Sequence, residues 1–243
     1  MKQFAIIAGS GFRSFATNSE IKIIDTDFGK PSGPLRKIEL TGHAVYFLPR
    51  HGDDLFIPPH AINYRANMKA LKQLSVEQII SINTVGVIAE KQHPGQIAIP
   101  DQLIDYSWGR AHSYFDGSGK IDHIDFTHPF SANLRNQLLV AADNADVAVH
   151  DGGVYAVTQG PRLESAAEVD RLCRDGADYV GMTAMPEASL ARELGMDYAC
   201  LSLIVNYAAG RGQTPIHEDL AVGTKKAKAS ALALVESFFL NLK

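Results

Sequence analysis

Four short runs of this chain are apolar with little alternation: residues 4–8 (Phe4-Ala5-Ile6-Ile7-Ala8), 44–48, 76–82 and 198–205. A strand that is apolar at consecutive positions has to be covered on both faces, the habit of parallel strands packed between helices. Each run then stops in a short motif of glycine and polar residues. The first ends in Gly9-Ser10-Gly11-Phe12 and the second in Pro49-Arg50-His51-Gly52. The third ends in Asn83-Thr84-Val85-Gly86 and the fourth in Asn206-Tyr207-Ala208. In open α/β sheets ligands gather outside the carboxyl ends of the strands.

Helical spacing marks residues 62–74 and 134–142. A helix started by Pro186-Glu187 stops at Gly195, and a long last helix covers residues 217–242, with Lys225, Lys226 and Lys228 on its solvent side. Shorter strands are expected at 21–24, 37–40, 95–100, 103–105, 153–158 and 178–180. No linker, repeat or low-complexity stretch divides the 243 residues. The expectation is one α/β domain over residues 1–243, a central mixed β-sheet flanked by helices with a cleft along the strand ends. Residues 108–130 lack periodicity, and a loop of that length is usually functional or buried against a partner.

A net charge of −4 gives no general reason to bind nucleic acid or an anionic membrane surface. Any phosphate must therefore be held by a local site. Cys173 and Cys200 are the only thiols, no signal peptide is visible, and no apolar stretch reaches the roughly 18 residues of a membrane span. A soluble, cytoplasmic protein is expected.

Together the strand ends supply Ser10, Arg50, His51, Asn83, Thr84 and Thr183: hydroxyls, an amide, a guanidinium and an imidazole, the usual set for an oxyanion. Taken singly, each has a plainer reading. Gly9-Ser10-Gly11 is a turn without the third spaced glycine of a dinucleotide fingerprint, and Arg50-His51 is a surface cation beside a turn histidine. No carboxylate cluster suited to Mg²⁺, no HExxH, no CxxC and no GxSxG is present, so neither a metal nor a cofactor is expected. The oxyanion reads as a substrate.

Ser165-Ala166-Ala167-Glu168 has the form of a capping box, with Val169, Leu172 and Cys173 following at helical spacing and Gly176 as a stop. Glu164 sits just before that cap, where a carboxylate does no capping. On its own it is either a solvated surface glutamate or part of a site.

These stretches, with Asn63-Tyr64-Arg65-Ala66-Asn67, Gly95-Gln96-Ile97, Asp101-Gln102-Leu103-Ile104-Asp105, Gln159-Gly160-Pro161-Arg162 and Gly181-Met182-Thr183-Ala184-Met185-Pro186-Glu187, resemble the nucleoside phosphorylases of the purine and methylthioadenosine type over nearly the whole chain. The resemblance implies metal-free reversible phosphorolysis of an N-glycosidic bond, with inorganic phosphate as co-substrate and a homotrimer as the assembly. It implies phosphate at Ser10, Arg50, His51 and Thr183 with Asn83-Thr84 beside it, where the methylthioadenosine branch carries Thr-Ala. It sets Met182 against the ribose and sends His123 into the neighbouring subunit's site.

The base pocket departs from the methylthioadenosine pattern. That branch reads adenine with two aspartates in Thr-Asp-Tyr-Asp, where this chain has Val205-Asn206-Tyr207-Ala208. It also has Ser where Glu164 stands, whereas phosphorylases of inosine and guanosine have Glu there and Asn at the Asn206 position. A carboxylate accepts from N1–H of a 6-oxopurine, and an Asn amide donates to O6 while accepting from a protonated N7. Adenine lacks N1–H, so Glu164 would face a lone pair. A 6-oxopurine pocket in a methylthio scaffold implies 5′-methylthioinosine as substrate, with Asn206 and Glu164 stabilising the departing base. His217 looks like the histidine that meets a 5′-hydroxyl, which keeps inosine or guanosine open, and overall similarity keeps methylthioadenosine open.

Overall fold

The computed structural model describes residues 2–9, 12, 19–54, 56–115 and 117–242, the Asp219 side chain excepted. Ser10 and Gly11 therefore lie outside the described residues. Among the described residues eleven strands form one mixed sheet: β1 (Gln3–Ala8), β2 (Glu20–Lys22), β3 (Leu35–Leu40), β4 (His43–Pro49), β5 (Val76–Val87), β6 (Ile97–Ile99), β7 (Gln102–Asp105), β8 (Val149–Asp151), β9 (Val154–Val157), β10 (Tyr179–Gly181) and β11 (Asp197–Tyr207). Five α-helices of the described residues accompany them: α1 (Tyr64–Gln73), α2 (Ala132–Asn144), α3 (Ala166–Arg174), α4 (Ala184–Glu193) and α5 (Ile216–Leu240).

The continuous apolar runs are explained by two cores, one on each face of the sheet. On β1, Ala5 and Ile7 join the core with Tyr64, Met68 and Leu71 of α1 and with Ala188 and Leu190 of α4. Phe4, Ile6 and Ala8 join the opposite core, with Leu134 and Leu138 of α2 and with Leu234 and Phe238 of α5. Ile79 and Ile80 of β5 divide in the same way, as do Cys200 and Leu201 of β11. Period-two alternation here sorts apolar residues between two interiors instead of separating interior from water.

Local capping starts the helices where residue chemistry allows it. Asn63 accepts from Ala66 N–H ahead of α1, and Ser131 caps α2. The capping box of Ser165 and Glu168 is complete at α3, whose inner face is Val169 and Leu172. Cys173, expected on that face, is exposed.

The feature that makes the site is a fork along one edge of β5. β1 runs parallel to the first part of β5, as far as the pair Ala8 and Ile82. β10 then pairs antiparallel with the last part, Tyr179 with Val87 and Val180 with Gly86. Two strand ends thus approach each other along a single edge and stop short, leaving Asn83, Thr84 and Val85 between them. The sequence reading ended this strand at Ile82. It runs on to Val87 because β11 pairs with it nearly throughout.

Candidate active site

Four elements meet at the fork. Gly9 follows β1, Arg50 and His51 follow β4, Asn83 and Thr84 lie within β5, and Met182 and Thr183 follow β10. All of them line one cleft with about 240 Å³ of open space, room for a small organic molecule but not for a polymer segment. Glu164, Val205, Asn206 and Ala208 line it as well, and α5 closes it with Ile216, Leu220, Thr224 and Lys228 at four-residue spacing.

Arg50 is 1% exposed, not the surface cation that its sequence setting allowed. Its Nε donates to Glu187 Oε1 at 2.6 Å and its Nη2 to Glu187 Oε2 at 3.1 Å. Ser81 Oγ and the carbonyls of Ile82 and Ile7 take further hydrogens. Burial by itself disfavours the Arg50 charge, but Glu187 outweighs it and the net effect holds the guanidinium protonated. Among the described residues Nη1 has Ile82 O as its single partner, so one of its two hydrogens is left for a ligand. Glu187 is fully buried within α4, and sequence reasoning treated it only as a helix start.

His51 is fixed by the carbonyl of Ile57, 2.8 Å from Nδ1. A carbonyl can only accept, so Nδ1 carries the proton and Nε2 keeps its lone pair. Burial, with Arg50 beside it, holds the imidazole below its usual value, so it is neutral at pH 7. A Cβ on Gly9 would stand 3.5 Å from His51 Cδ2, so Gly9 lies against the ring.

Asn83 is buried, its Oδ1 accepting from Ser202 Oγ at 2.8 Å and its Nδ2 donating to Cys200 Sγ. Its side chain thus joins β5 to β11, while Thr84 is exposed to the cleft. Thr183 is buried at the start of α4 with no side-chain capping bond, which leaves its hydroxyl unclaimed by the helix.

At the other end of the cleft stand Glu164 and Asn206. Thr158 Oγ1 donates to Glu164 Oε1 at 2.6 Å, and among the described residues the other carboxylate oxygen has no partner. Asn206 is aimed by a bulge: Ile204 pairs with Val85 and Asn206 with Gly86, so Val205 is an extra residue in β11. The bulge turns two consecutive side chains, Val205 and Asn206, toward the same cleft. Asn206 Nδ2 donates to Tyr207 O at 2.6 Å, which leaves its second hydrogen and Oδ1 available. Gly86 makes the space, since a Cβ there would stand 3.0 Å from Asn206 Nδ2.

Two expected substrate contacts, Tyr207 and His217, are not in this cleft, and a third, His123, was expected to serve a neighbouring subunit's cleft. Tyr207 points to the other side of β11, where its hydroxyl meets His93 Nδ1 at 2.9 Å, because alternation resumes after the bulge. His123 is exposed in the long irregular segment and does not line its own chain's cleft. His217 is exposed at the start of α5, one residue past the cleft-lining Ile216 and so about 100° around the helix. In the opposite sense, Lys228, expected in solvent, is half-buried against the cleft.

Sequence reasoning also missed Arg110, which is 7% exposed. It donates to the carbonyls of Met182, Met185, Thr158 and Gln159. One guanidinium thereby ties the turn bearing Met182 and Thr183 to the turn leading to Glu164. Gly160 completes this packing: a Cβ there would lie 2.5 Å from Met182 Sδ. The lack of periodicity around Arg110 was the available signal.

No helix among the described residues is long and apolar enough to cross a membrane. The sequence profile of the phosphorylase superfamily matches residues 3–239. A protein of Xylella fastidiosa (strain Temecula1 / ATCC 700964) named a probable S-methyl-5′-thioinosine phosphorylase is 50% identical over 211 residues, covering 86% of this chain and 85% of that one. A protein of the same name from Pseudomonas syringae pv. tomato is 45% identical over 238 residues, covering 95% and 97%. The fold is similar to the crystal structure of a methylthioadenosine phosphorylase from an antarctic soil metagenomic library, with a TM-score of 0.91, 34% identity, and 98% and 85% of the two chains covered. With a family match that runs from the first strand into the last helix, and relatives that align over most of the chain, this chain belongs to the phosphorylase superfamily.

Proposed function

We propose that the chain catalyses reversible phosphorolysis of S-methyl-5′-thioinosine to hypoxanthine and 5-methylthioribose 1-phosphate. One observation carries the reading: Glu164 and Asn206 line the same cleft as Arg50, His51 and Thr183. A reader of a 6-oxopurine base and a set of oxyanion donors thus share one ligand-sized space. The relatives named for methylthioinosine support the substrate.

In this reading phosphate rests on Arg50, Thr183 and Thr84, with the Nε2 lone pair of His51 accepting from the phosphate hydroxyl, Ser10 at the loop after β1 and Asn83 behind. A phosphate oxygen bonds to C1′ of the sugar as the bond from C1′ to the base breaks, and the bonding pair leaves with the base. The anionic phosphate stabilises the oxocarbenium-like sugar between them. Asn206 donates to O6 and its Oδ1 accepts from N7, which takes its proton from solvent. Glu164, oriented by Thr158, accepts from N1–H. Met182 packs against the ribose. Ile216 and Leu220 give the cleft an apolar wall suited to a methylthio group, whereas a 5′-hydroxyl would leave its hydrogen bond to be made elsewhere.

Phosphate is a co-substrate and no cofactor takes part. The protein is cytoplasmic and works as a homotrimer in which His123 reaches a neighbouring subunit's cleft. Neither nucleic acid nor a membrane is a partner.

The test is base release from methylthioinosine, methylthioadenosine, inosine and adenosine, each with and without inorganic phosphate. Phosphate-dependent turnover fastest on methylthioinosine is expected. Full-rate release without phosphate would make the enzyme a nucleosidase. A preference for inosine would overturn the apolar 5′ end, and a preference for methylthioadenosine would overturn the base assignment.

A further inference from the structure

The phosphate end of the cleft is short of positive charge. Arg50 is matched by the two oxygens of Glu187, so the buried pair has no net charge. His51 spends its Nδ1 proton on Ile57 O and presents a lone pair. The helix beginning at Thr183 offers little dipole, because Met185 and Pro186 interrupt its first turn with non-helical angles. A phosphate dianion brought here meets hydroxyls, N–H groups and a neutral ion pair.

One cation among the described cleft-lining residues is uncommitted. Lys228 lines the cleft on the fourth step of the α5 row that begins at Ile216, and no carboxylate of the described residues lies within ion-pair distance of it. Its Nζ is 5.9 Å from the ring centroid of Phe12. Phe12 N–H bonds to Gly9 O at 3.4 Å, and Gly9 lies against His51. This succession fixes which end of the row Lys228 occupies: Ile216 and Leu220 form the apolar stretch, while Lys228 stands by Phe12 and Gly9, at the His51 end. Lys225 and Lys226 of the same helix are exposed.

We propose that Lys228 is a phosphate-binding residue of this enzyme, the ammonium that supplies the net positive charge which the Arg50–Glu187 pair cannot. A lysine suits the position: it is a compact charge on a flexible stem, able to swing from the Phe12 face onto an oxyanion and back when the sugar phosphate leaves. The proposal rests on the phosphorolytic reading, since it assumes that the anion in this cleft is inorganic phosphate.

The experiment compares wild type with Lys228→Met and Lys228→Arg. Lys228→Met keeps an unbranched apolar side chain of similar length at this position and removes the charge. The expected result is a KM for phosphate raised about tenfold or more, the loss of one charged hydrogen bond, with the KM for methylthioinosine changed little and Lys228→Arg largely restored. The protection that inorganic phosphate alone gives against thermal unfolding should shrink in parallel in Lys228→Met and return in Lys228→Arg. An unchanged phosphate KM and unchanged protection in Lys228→Met would make Lys228 a cover over Phe12 and overturn the proposal while leaving phosphorolysis intact. Turnover by wild type that ignores phosphate would instead overturn the functional reading itself. Equal losses in the methionine and arginine variants would show a packing role and also overturn it.

Discussion

Glu187 holds Arg50 with both carboxylate oxygens, at 2.6 and 3.1 Å, across 137 residues of sequence and with neither side chain open to water. Arg50 comes from the end of β4 and Glu187 from α4, so the pair joins two sides of the cleft before any ligand arrives. Removing one member of such a pair leaves a buried charge uncompensated. Glu187→Gln is therefore expected to destabilise the fold by about 3–5 kcal/mol. Equilibrium denaturation without phosphate measures this. A midpoint equal to that of wild type would show that the pair does not support the fold.

The proposed function places base selection on Glu164. Glu164→Gln keeps the shape and the bond from Thr158, but presents a neutral amide to N1–H. Turnover of methylthioinosine should fall about ten- to a hundredfold, the loss of a charged hydrogen bond in a desolvated site. Steady-state kinetics on methylthioinosine read the effect, and normal kcat/KM in the variant would return Glu164 to the surface.

At Asn206 the change to aspartate exchanges a donor to O6 for a carboxylate. Asn206→Asp should lower kcat/KM for methylthioinosine relative to methylthioadenosine, shifting their ratio by about tenfold or more. Competition between the two nucleosides in one reaction gives that ratio directly. Unaltered methylthioinosine use would remove Asn206 from base recognition.

Gly86→Ala probes the same corner by volume. The new Cβ would press on Asn206 Nδ2 at 3.0 Å and on Ala208 Cα at 3.3 Å, and the second of these is backbone. A cost of about 1–3 kcal/mol in stability is expected, together with a raised KM for nucleoside and a phosphate KM near that of wild type. A raised phosphate KM with nucleoside KM unchanged would contradict the division of the cleft into base and phosphate ends.

His51 makes a pH prediction of definite sign. Burial depresses its folded-state value below the ordinary 6.5, so in the window just under 6.5 the unfolded chain binds more protons than the folded one. The contribution of His51 to stability is complete above about pH 6.5 and is lost as pH falls through the lower folded value. His51→Asn, which can still donate to Ile57 O, should flatten that part of the profile. Denaturation midpoints between pH 7.5 and 5 in phosphate-free buffer compare the two proteins, and parallel profiles would contradict a neutral His51.

What the sequence made legible follows from how local each signal is. The apolar runs of β1, β4 and β11 announced buried strands, and Ser165 with Glu168 announced the start of α3, because these patterns lie within a few residues. That Arg50, His51, Asn83, Thr84 and Thr183 would gather with Glu164 and Asn206 in one cleft was legible as strand-end chemistry and family pattern. Geometry created by pairing was not. The bulge at Val205 depends on register against β5, and it decides that Asn206 faces the cleft while Tyr207 faces His93. Glu187 was unreadable as a partner because nothing near it in sequence refers to Arg50. Lys228 shares a helix with two solvated lysines, and only the approach of Phe12 distinguishes it. β5 continued past Ile82 for a similar reason: its support is a neighbour 119 residues away, Ser202 beside Asn83.

The fork along β5 also bears on how the protein moves. β2, β3, β4 and β1 hang from one part of that edge, and β10, β9 and β7 from another, so the sheet has two wings sharing a single spine. A ligand that touches Gly9 and His51 on one side and Met182 and Thr183 on the other spans the notch between them. A phosphate held in this notch would act as a brace as well as a reactant, tying the two wings together for as long as it stays bound.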